Sequence, residues 1–375
     1  MSNRAPGEGS FQQRKDGRWM ARLQMGGRRV AVYGETRSEA VQKLKTLSGT
    51  AEKTHRLPAS NKLTLGDYLT DWLSQAEPRL RPKTWDRYEL VIRLHVVPQL
   101  GTIPLAKVSP LMLAHHYTRL SKNTGAPSVQ KTHRVLHKAL GDATRWGLVT
   151  SNVAALVDAP KAEPKQVNLW TPEQVAGFLK AMIEGEGGQY GYLFAFLLAS
   201  GCREGEAMGL TWEDVTWDSG AVRIERQISS VRNKPVQLPC KTKAGRRAIT
   251  LPAWGVEVLR RQKVAVAEWR LQQGEAWQGG QRVFPTSTGT VPTRSYIRRT
   301  FRATCKRLGL PIIRVHDLRH ISLSLLAMNG VPLKVAQARA GHSTASVTLN
   351  IYQHVLGDGD KLAAEALEKA VSRVI

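Results

Sequence analysis

Two polar stretches interrupted by proline divide this chain into three and so constrain anything it can fold into. Residues 48–62 contain Pro58, and residues 157–170 contain Pro160 and Pro164 among mixed charges. Neither stretch carries an apolar period, so both read as linkers between separately packed units. At 375 residues the chain is also too long for one ordinary domain. The predicted units are 1–60, 61–160 and 165–375.

In 1–60, Gly9-Ser10 opens a first strand, and Asp16-Gly17 and Gly26-Gly27 are hairpin signals. Trp19, Ala21 and Leu23 alternate with Met20, Arg22 and Gln24 in the period-two pattern of a half-buried strand. A three-stranded sheet is predicted. Thr36-Arg37-Ser38-Glu39 then leads into Ala40, Val41, Leu44 and Leu47 at helical spacing, with Thr36 or Ser38 as N-cap. The sheet bears Arg14, Lys15, Arg18, Arg22, Arg28 and Arg29, which reads either as a polyanion-binding face or as a solvated basic hairpin.

From Thr64 to about Leu156 the apolar period becomes helical. Leu65, Tyr68, Leu69, Trp72 and Leu73 form one stripe, the core face of a helix, and further helices are expected near 84–96, 110–121 and 127–146. Thr171-Pro172-Glu173-Gln174 opens the last unit in the manner of a capped helix start with proline in its first turn.

Charge points to the class of partner. The chain carries 55 Lys and Arg against 30 Asp and Glu, a formal net charge of +25. The excess is spread: 12 against 5 in residues 1–60, 13 against 7 in 61–160, and 30 against 18 in 161–375. No single basic tail accounts for it, so each unit is expected to touch the same long polyanion, and DNA fits better than a patch of membrane lipid. Three cysteines, Cys202, Cys240 and Cys305, without a C-x-x-C pair, make a disulfide framework or structural zinc site unexpected. The longest apolar run, Tyr192–Ala199, is far short of the roughly 20 residues needed to span a bilayer. No secretory signal is read at the N-terminus, and a cytoplasmic protein is expected.

The last unit holds the residues with chemistry: Arg203, Lys241, His316, Arg319, His342 and Tyr352. The transition state of phosphodiester attack carries extra negative charge on its non-bridging oxygens, and planar guanidinium forks balance it well. Tyr352 needs help, because with an ordinary pKa near 10 only about one phenol in a thousand is ionised at neutral pH. Histidine suits proton management there. The leaving alkoxide needs a proton, and Lys241, on the basic turn Lys241–Arg247, is the candidate donor with Lys243 as competitor. Val236 and Leu238 before that turn, and Ile249 and Leu251 after it, predict a β-hairpin. His316 and His320 have the i, i+4 spacing of zinc ligands but lack the glutamate of H-E-x-x-H, so neither metal nor cofactor is expected.

These residues sit in S-G-C-R-E-G-E-A-M-G-L-T-W-E-D-V (200–215), K-T-K-A-G-R-R (241–247), H-D-L-R-H (316–320) and A-G-H-S-T-A-S-V-T-L-N-I-Y-Q-H (340–354). In this order they closely resemble the tyrosine recombinases, in particular integrases of bacteriophages and integrative elements. The resemblance implies a multidomain, mainly α fold: a small three-stranded sheet plus helix that binds arm-type DNA (1–60), a helical core-binding domain (61–160), and a mostly helical catalytic domain with a small antiparallel sheet (165–375). It implies Tyr352 as nucleophile, Arg203 and Arg319 as phosphate clamps, His316 as base, His342 as hydrogen-bond donor to phosphate, and Glu206 as support for Arg203. DNA contacts are expected from Arg14, Arg18, Arg22, Arg28, Lys83, Arg87 and Lys243.

The activity so implied is site-specific strand exchange through a 3′-phosphotyrosyl link and a Holliday junction. Its partners are duplex attachment sites of core and arm type and three further copies of the chain, with room for an excision or DNA-bending accessory factor. A catalytically silent DNA-binding regulator and a relaxing type IB topoisomerase are the rival readings. The segment 360–375 places Leu362, Ala366, Leu367, Ala370 and Val374 on one stripe, which the resemblance assigns to exchange between protomers and which can equally dock on its own domain. Ala340, Cys202 and Ile321 depart from the family pattern, and none of them removes a reacting group.

Overall fold

The computed structural model describes residues 10–14, 16–25, 28–44, 62–160, 169–232, 234–240, 242–355, 364 and 368, and not the side chains of 23–25, 28–30, 243, 350 and 353–355. Outside the described residues lie Lys15, Lys241, the Gly26-Gly27 turn, residues 48–61 and 161–168 of the two linkers, and the 360–375 stripe apart from residues 364 and 368. The chain divides into two compact units, 1–164 and 165–375.

The first unit contains two separate apolar cores. Strands β1 (Ser10–Gln13), β2 (Trp19–Met25) and β3 (Arg28–Gly34) form an antiparallel sheet in that order. Gly17 turns β1 into β2 at φ +84°, a conformation that a side chain resists. Helix α1 (37–44) follows, and its start is fixed by Thr36, whose hydroxyl accepts from Glu39 N–H at 3.2 Å. Ala21, Ala40 and Leu44 form the small core, with Phe11, Trp19 and Val32 against it.

The second core belongs to helices α2 (Leu65–Ala76), α3 (Pro82–Val91), α4 (Val97–Leu100), α5 (Pro110–Thr124) and α6 (Ala126–Arg145). All five residues of the predicted stripe are buried in it. Two polar groups are satisfied across the core: Trp72 Nε1 donates to Asp142 at 2.8 Å, and Tyr68 Oη donates to the Ala139 carbonyl at 2.5 Å. Between α3 and α4 the helix widens to a π turn over Ile92–Val96. Pro98, which has no N–H to return to the preceding turn, explains the widening.

In the second unit, α7 (Pro172–Ile183) begins with the expected capping box of Thr171 and Gln174. Helix α8 (Gly191–Ser200) is apolar all round and therefore central, with nine of its ten residues buried. A short α9 (Glu204–Ala207), then α10 (Ala253–Gln273), α11 (Arg294–Arg307) and α12 (Asp317–Met328) surround it. Helices α13 (Leu333–Ala340) and α14 (Ala345–Val355) pack a satellite core of Leu323, Ala327, Ala336, Ala340, Ile351 and Tyr352. Among the described residues, no helix is long and apolar enough to cross a membrane.

The predicted hairpin across Lys241–Arg247 is not what forms. Strands β4 (Val215–Thr216), β5 (Ala221–Ile224) and β8 (Arg247–Thr250) make one sheet, while β6 (Arg226–Val231) pairs with β7 (Lys234–Pro239). Strands β7 and β8 pair in turn with the continuous stretch β5–β6: Pro239 sits opposite Arg226, Cys240 N–H bonds the Glu225 carbonyl at 3.1 Å, and Arg247 sits opposite Ile224. The basic segment is therefore an excursion from one strand of a long ribbon. The partner strand comes from upstream, which the alternation on either side of the turn did not reveal.

Candidate active site

Arg203 is the N-cap of α9, and its position follows from Gly201, which ends α8 in the left-handed region at φ +64° and turns the chain. Three residues on, Glu206 is 2% exposed and accepts from Arg203 Nη1 at 2.6 Å and from Arg203 N–H at 3.0 Å. A second guanidinium, that of Arg247, donates Nη2 to the same carboxylate at 3.0 Å. Burial pushes the Glu206 carboxyl up, but the charge of Arg247, with the N–H and charge of Arg203, outweighs it and holds the pKa below its usual range.

Arg319 enters from the first turn of α12. It is 2% exposed, its Nη1 donates to the Gly201 carbonyl at 2.8 Å, and its Nη2 is buried without a partner. Burial first, then the field of Arg203, lowers its pKa to about 10. Arg339 completes the group through bonds to the Ala199 and Thr250 carbonyls at 2.8 and 3.0 Å. Four guanidiniums thus converge on one region where, among the described residues, the single carboxylate paired with any of them is Glu206, which holds Arg203 and Arg247. That excess of cation calls for an anion.

His342 follows Gly341, which closes α13 at φ +67°. It is 9% exposed, its Nδ1 meets Thr348 Oγ1 at 2.8 Å, and burial followed by the fields of Arg319 and Arg203 pushes its pKa down to about 3. Arg203 Nη2 donates to the Gly341 carbonyl at 3.2 Å, so the first arginine is tied directly to this turn. His316 stands at the N-cap position of α12 without a side-chain cap bond, is exposed, and lies edge-on to His320 at 5.1 Å between centroids. Desolvation by the surrounding chain, then His320 and Arg319, holds it neutral with a pKa pushed down to about 4.

A stability prediction follows for His342. Its pKa is near 3 folded and 6.5 unfolded, so below pH 6.5 the unfolded chain takes up a proton that the folded chain refuses. The stability present above pH 6.5 is lost as the pH falls toward 3, at about 1.4 kcal/mol per pH unit. Urea unfolding at pH 7 and pH 5 is expected to fall more steeply for the native chain than for His342→Gln. Equal losses in the two would contradict the buried neutral imidazole.

The structure brings Arg203, Glu206, Arg319 and His342 together, with His316 linked through Arg319. Tyr352 is 6% exposed, in the satellite core, and its hydroxyl donates to the Val331 carbonyl at 3.0 Å. Burial alone raises its pKa, and no guanidinium contributes. In the first unit Arg14, Arg18 and Arg22 are exposed; Arg14 lies over the Tyr33 ring and Arg18 pairs with Asp16 at 2.8 Å. On α3, Arg87 is exposed and Lys83 half-buried. The side chains of Arg28 and Lys243 are outside the description, as is Lys241.

Arg247 and Arg339 are the residues that sequence reasoning missed. For Arg247 a signal existed, because it alternates with Ile249 and Leu251, so a cation stands in register with two buried apolar side chains and must be paired.

Comparison with known proteins adds the lineage. Residues 169–357 match the model of the phage integrase family, and residues 64–121 match the model of the phage integrase N-terminal SAM-like domain. An integrase of Streptomyces ambofaciens is 27% identical over 367 residues, covering 93% of each chain. The Tn1549 transposon integrase in complex with a circular intermediate DNA superposes with a TM-score of 0.68 at 20% identity, over 80% of this chain and 99% of that one. A lambda integrase tetramer bound to a Holliday junction superposes with a TM-score of 0.60 at 18% identity, over 93% of this chain and 96% of that one.

Proposed function

The chain belongs to the phage integrase family, the tyrosine recombinases, and on that premise we propose how its own residues carry out the reaction. It is a site-specific DNA recombinase, an enzyme that cuts and rejoins DNA strands. The observation that carries the residue assignment is the cation cluster: Arg203 and Arg247 on Glu206, Arg319 in their field, Arg339 beside Arg247, and one buried Arg319 nitrogen left without a partner.

In this reading the scissile phosphate enters as the missing anion. Arg203 and Arg319 grip its non-bridging oxygens, His342 adds a hydrogen bond, and Glu206 keeps Arg203 oriented. Tyr352 oxygen attacks phosphorus, its proton passes to His316, the bond to O5′ breaks, and Lys241 supplies the proton that O5′ needs. The 3′-phosphotyrosyl ester keeps the energy of the broken bond, so a 5′ hydroxyl from a partner strand reverses the attack. A group of four protomers on two duplexes performs this twice through a Holliday junction. Arg14, Arg18, Arg22, Arg28, Lys83, Arg87 and Lys243 contact the duplex, with 1–60 on arm-type sites, 61–160 on core sites and 165–375 at the chemistry.

The test uses DNA flanking the gene, screened for inverted core repeats and distal direct repeats. Incubation of two duplexes carrying those repeats is expected to yield junctions and recombinants. Relaxation of supercoiled DNA without exchange would favour a topoisomerase, and binding without either would favour a silent regulator.

A further inference from the structure

A cleft of about 420 Å³ lies in the second unit where the start of α11 meets Gln189, Tyr190 and the loop 286–291. Ser295, Tyr296 and Arg299 form its exposed part, and Tyr190, 1% exposed, its buried part. The Tyr190 hydroxyl and the Gln189 amide nitrogen are both buried, and among the described residues neither has a partner. Tyr190 lies edge-on to Tyr296 at 5.7 Å between centroids, and the Arg299 guanidinium stands over the Tyr296 ring at 5.1 Å. Burial first, then Tyr296, pushes the Tyr190 phenol up to about 12, so it stays protonated and able to donate.

The polar groups of this cleft suit an anion. Among the described residues no carboxylate lines it, and Arg299 adds a positive charge. Thr293, the N-cap of α11, makes no side-chain cap bond, and its hydroxyl instead accepts from Ser295 Oγ at 3.3 Å. The first-turn N–H groups are thus left for an outside acceptor at the positive end of a 14-residue helix. Arg294 Nη2 donates to the Ile228 carbonyl at 2.9 Å and Arg298 pairs with Glu204 at 3.7 Å, so the first turns of α11 lie against β6 and α9, the helix that Arg203 begins. A duplex held at Arg203 and Arg319 carries further phosphates past this unit, one charge per about 1.7 Å of its axis. We propose that the cleft is a second phosphate site, separate from the scissile position, in which the Tyr190 hydroxyl, the Gln189 amide, Arg299 and the start of α11 seat a phosphate group of the duplex backbone and so set its register. The source of that phosphate rests on the recombinase reading.

The experiment measures duplex binding by the full chain over a scan of single methylphosphonates, each replacing one backbone phosphate by an uncharged group. For the native chain, one position apart from the scissile phosphate is expected to weaken binding about tenfold, the scale of one hydrogen bond to a charged group. Tyr190→Phe and Arg299→Gln should bind the unmodified duplex about tenfold more weakly, and for both the sensitive position should fall silent while the others keep their native cost. Arg299→Gln should also reduce the slope of log K against log salt by about 0.9, the share of one phosphate. Without DNA, Tyr190→Phe should melt no lower than the native chain, because it removes a buried hydroxyl that has no partner there. In a second arm, also without DNA, inorganic phosphate replaces chloride at constant ionic strength and should raise the melting temperature of the native chain more than that of Tyr190→Phe.

A scan in which every position costs the variants what it costs the native chain would remove the duplex as the source. With a phosphate-dependent melting difference the cleft would then take a free phosphate group, and without one the proposal falls. A Tyr190→Phe chain that melts lower without DNA would mark the hydroxyl as structural and overturn the site as well. Failure of the native chain to bind any duplex would instead remove the recombinase reading, and the phosphate arm would still decide whether the cleft holds the anion.

Discussion

Replacing Arg319 by alanine is expected to slow covalent cleavage by about 10²- to 10³-fold, the cost of deleting one preorganised donor to a developing anion. The unusual part of the expectation is stability. Arg319 is buried, one nitrogen has no partner, and its pKa lies near 10 rather than 12.5. That depression corresponds to strain on the order of 3 kcal/mol in the DNA-free chain, at 1.36 kcal/mol per unit. Removing the cation relieves this strain and loses one hydrogen bond to Gly201, worth about 1 kcal/mol. The alanine variant should therefore melt at or above the native temperature while losing activity. A variant that melts lower and cleaves normally would mark Arg319 as a structural ion. Arg319→Lys should also be slow, because a point charge cannot replace the planar fork.

Tyr352→Phe is expected to abolish covalent attachment altogether while leaving DNA affinity within twofold. The substitution removes one oxygen from a ring held by Leu323, Ala327, Ala336, Ala340 and Ile351, so packing is kept. The hydroxyl is docked on the Val331 carbonyl, apart from the guanidiniums, with a pKa raised by burial. Catalysis needs that bond exchanged for one near the phosphate. A neutral hydrogen bond is worth only about 1 kcal/mol net, so duplex binding can supply the exchange easily. What binding cannot supply is a different nucleophile.

Much of this was legible in the chain because two periods carry it. The helical stripe of Leu65, Tyr68, Leu69, Trp72 and Leu73 is buried as predicted, since a helix must hide such a face. Arg203 and Glu206 were readable as a pair because three residues apart across a helix start is contact distance. Where pairing depends on distant chain, the reading stopped. The alternation around Lys241–Arg247 identified strands but not their partners, which lie upstream in 221–231. Arg247 was passed over as the last residue of a basic turn read for its lysines. No pattern in sequence marks the Val331 carbonyl as the resting partner of Tyr352, since that contact is set by how α12, α13 and α14 meet.

The most direct measurement is the mass of the protein–DNA adduct formed on a nicked duplex, digested and mapped to a residue. The nucleotide remnant should sit on Tyr352 through a 3′ phosphate, opposite a free 5′ hydroxyl on the released strand. A remnant on any other side chain, a 5′ phosphate on the released strand, or an adduct of equal yield from Tyr352→Phe would contradict the account.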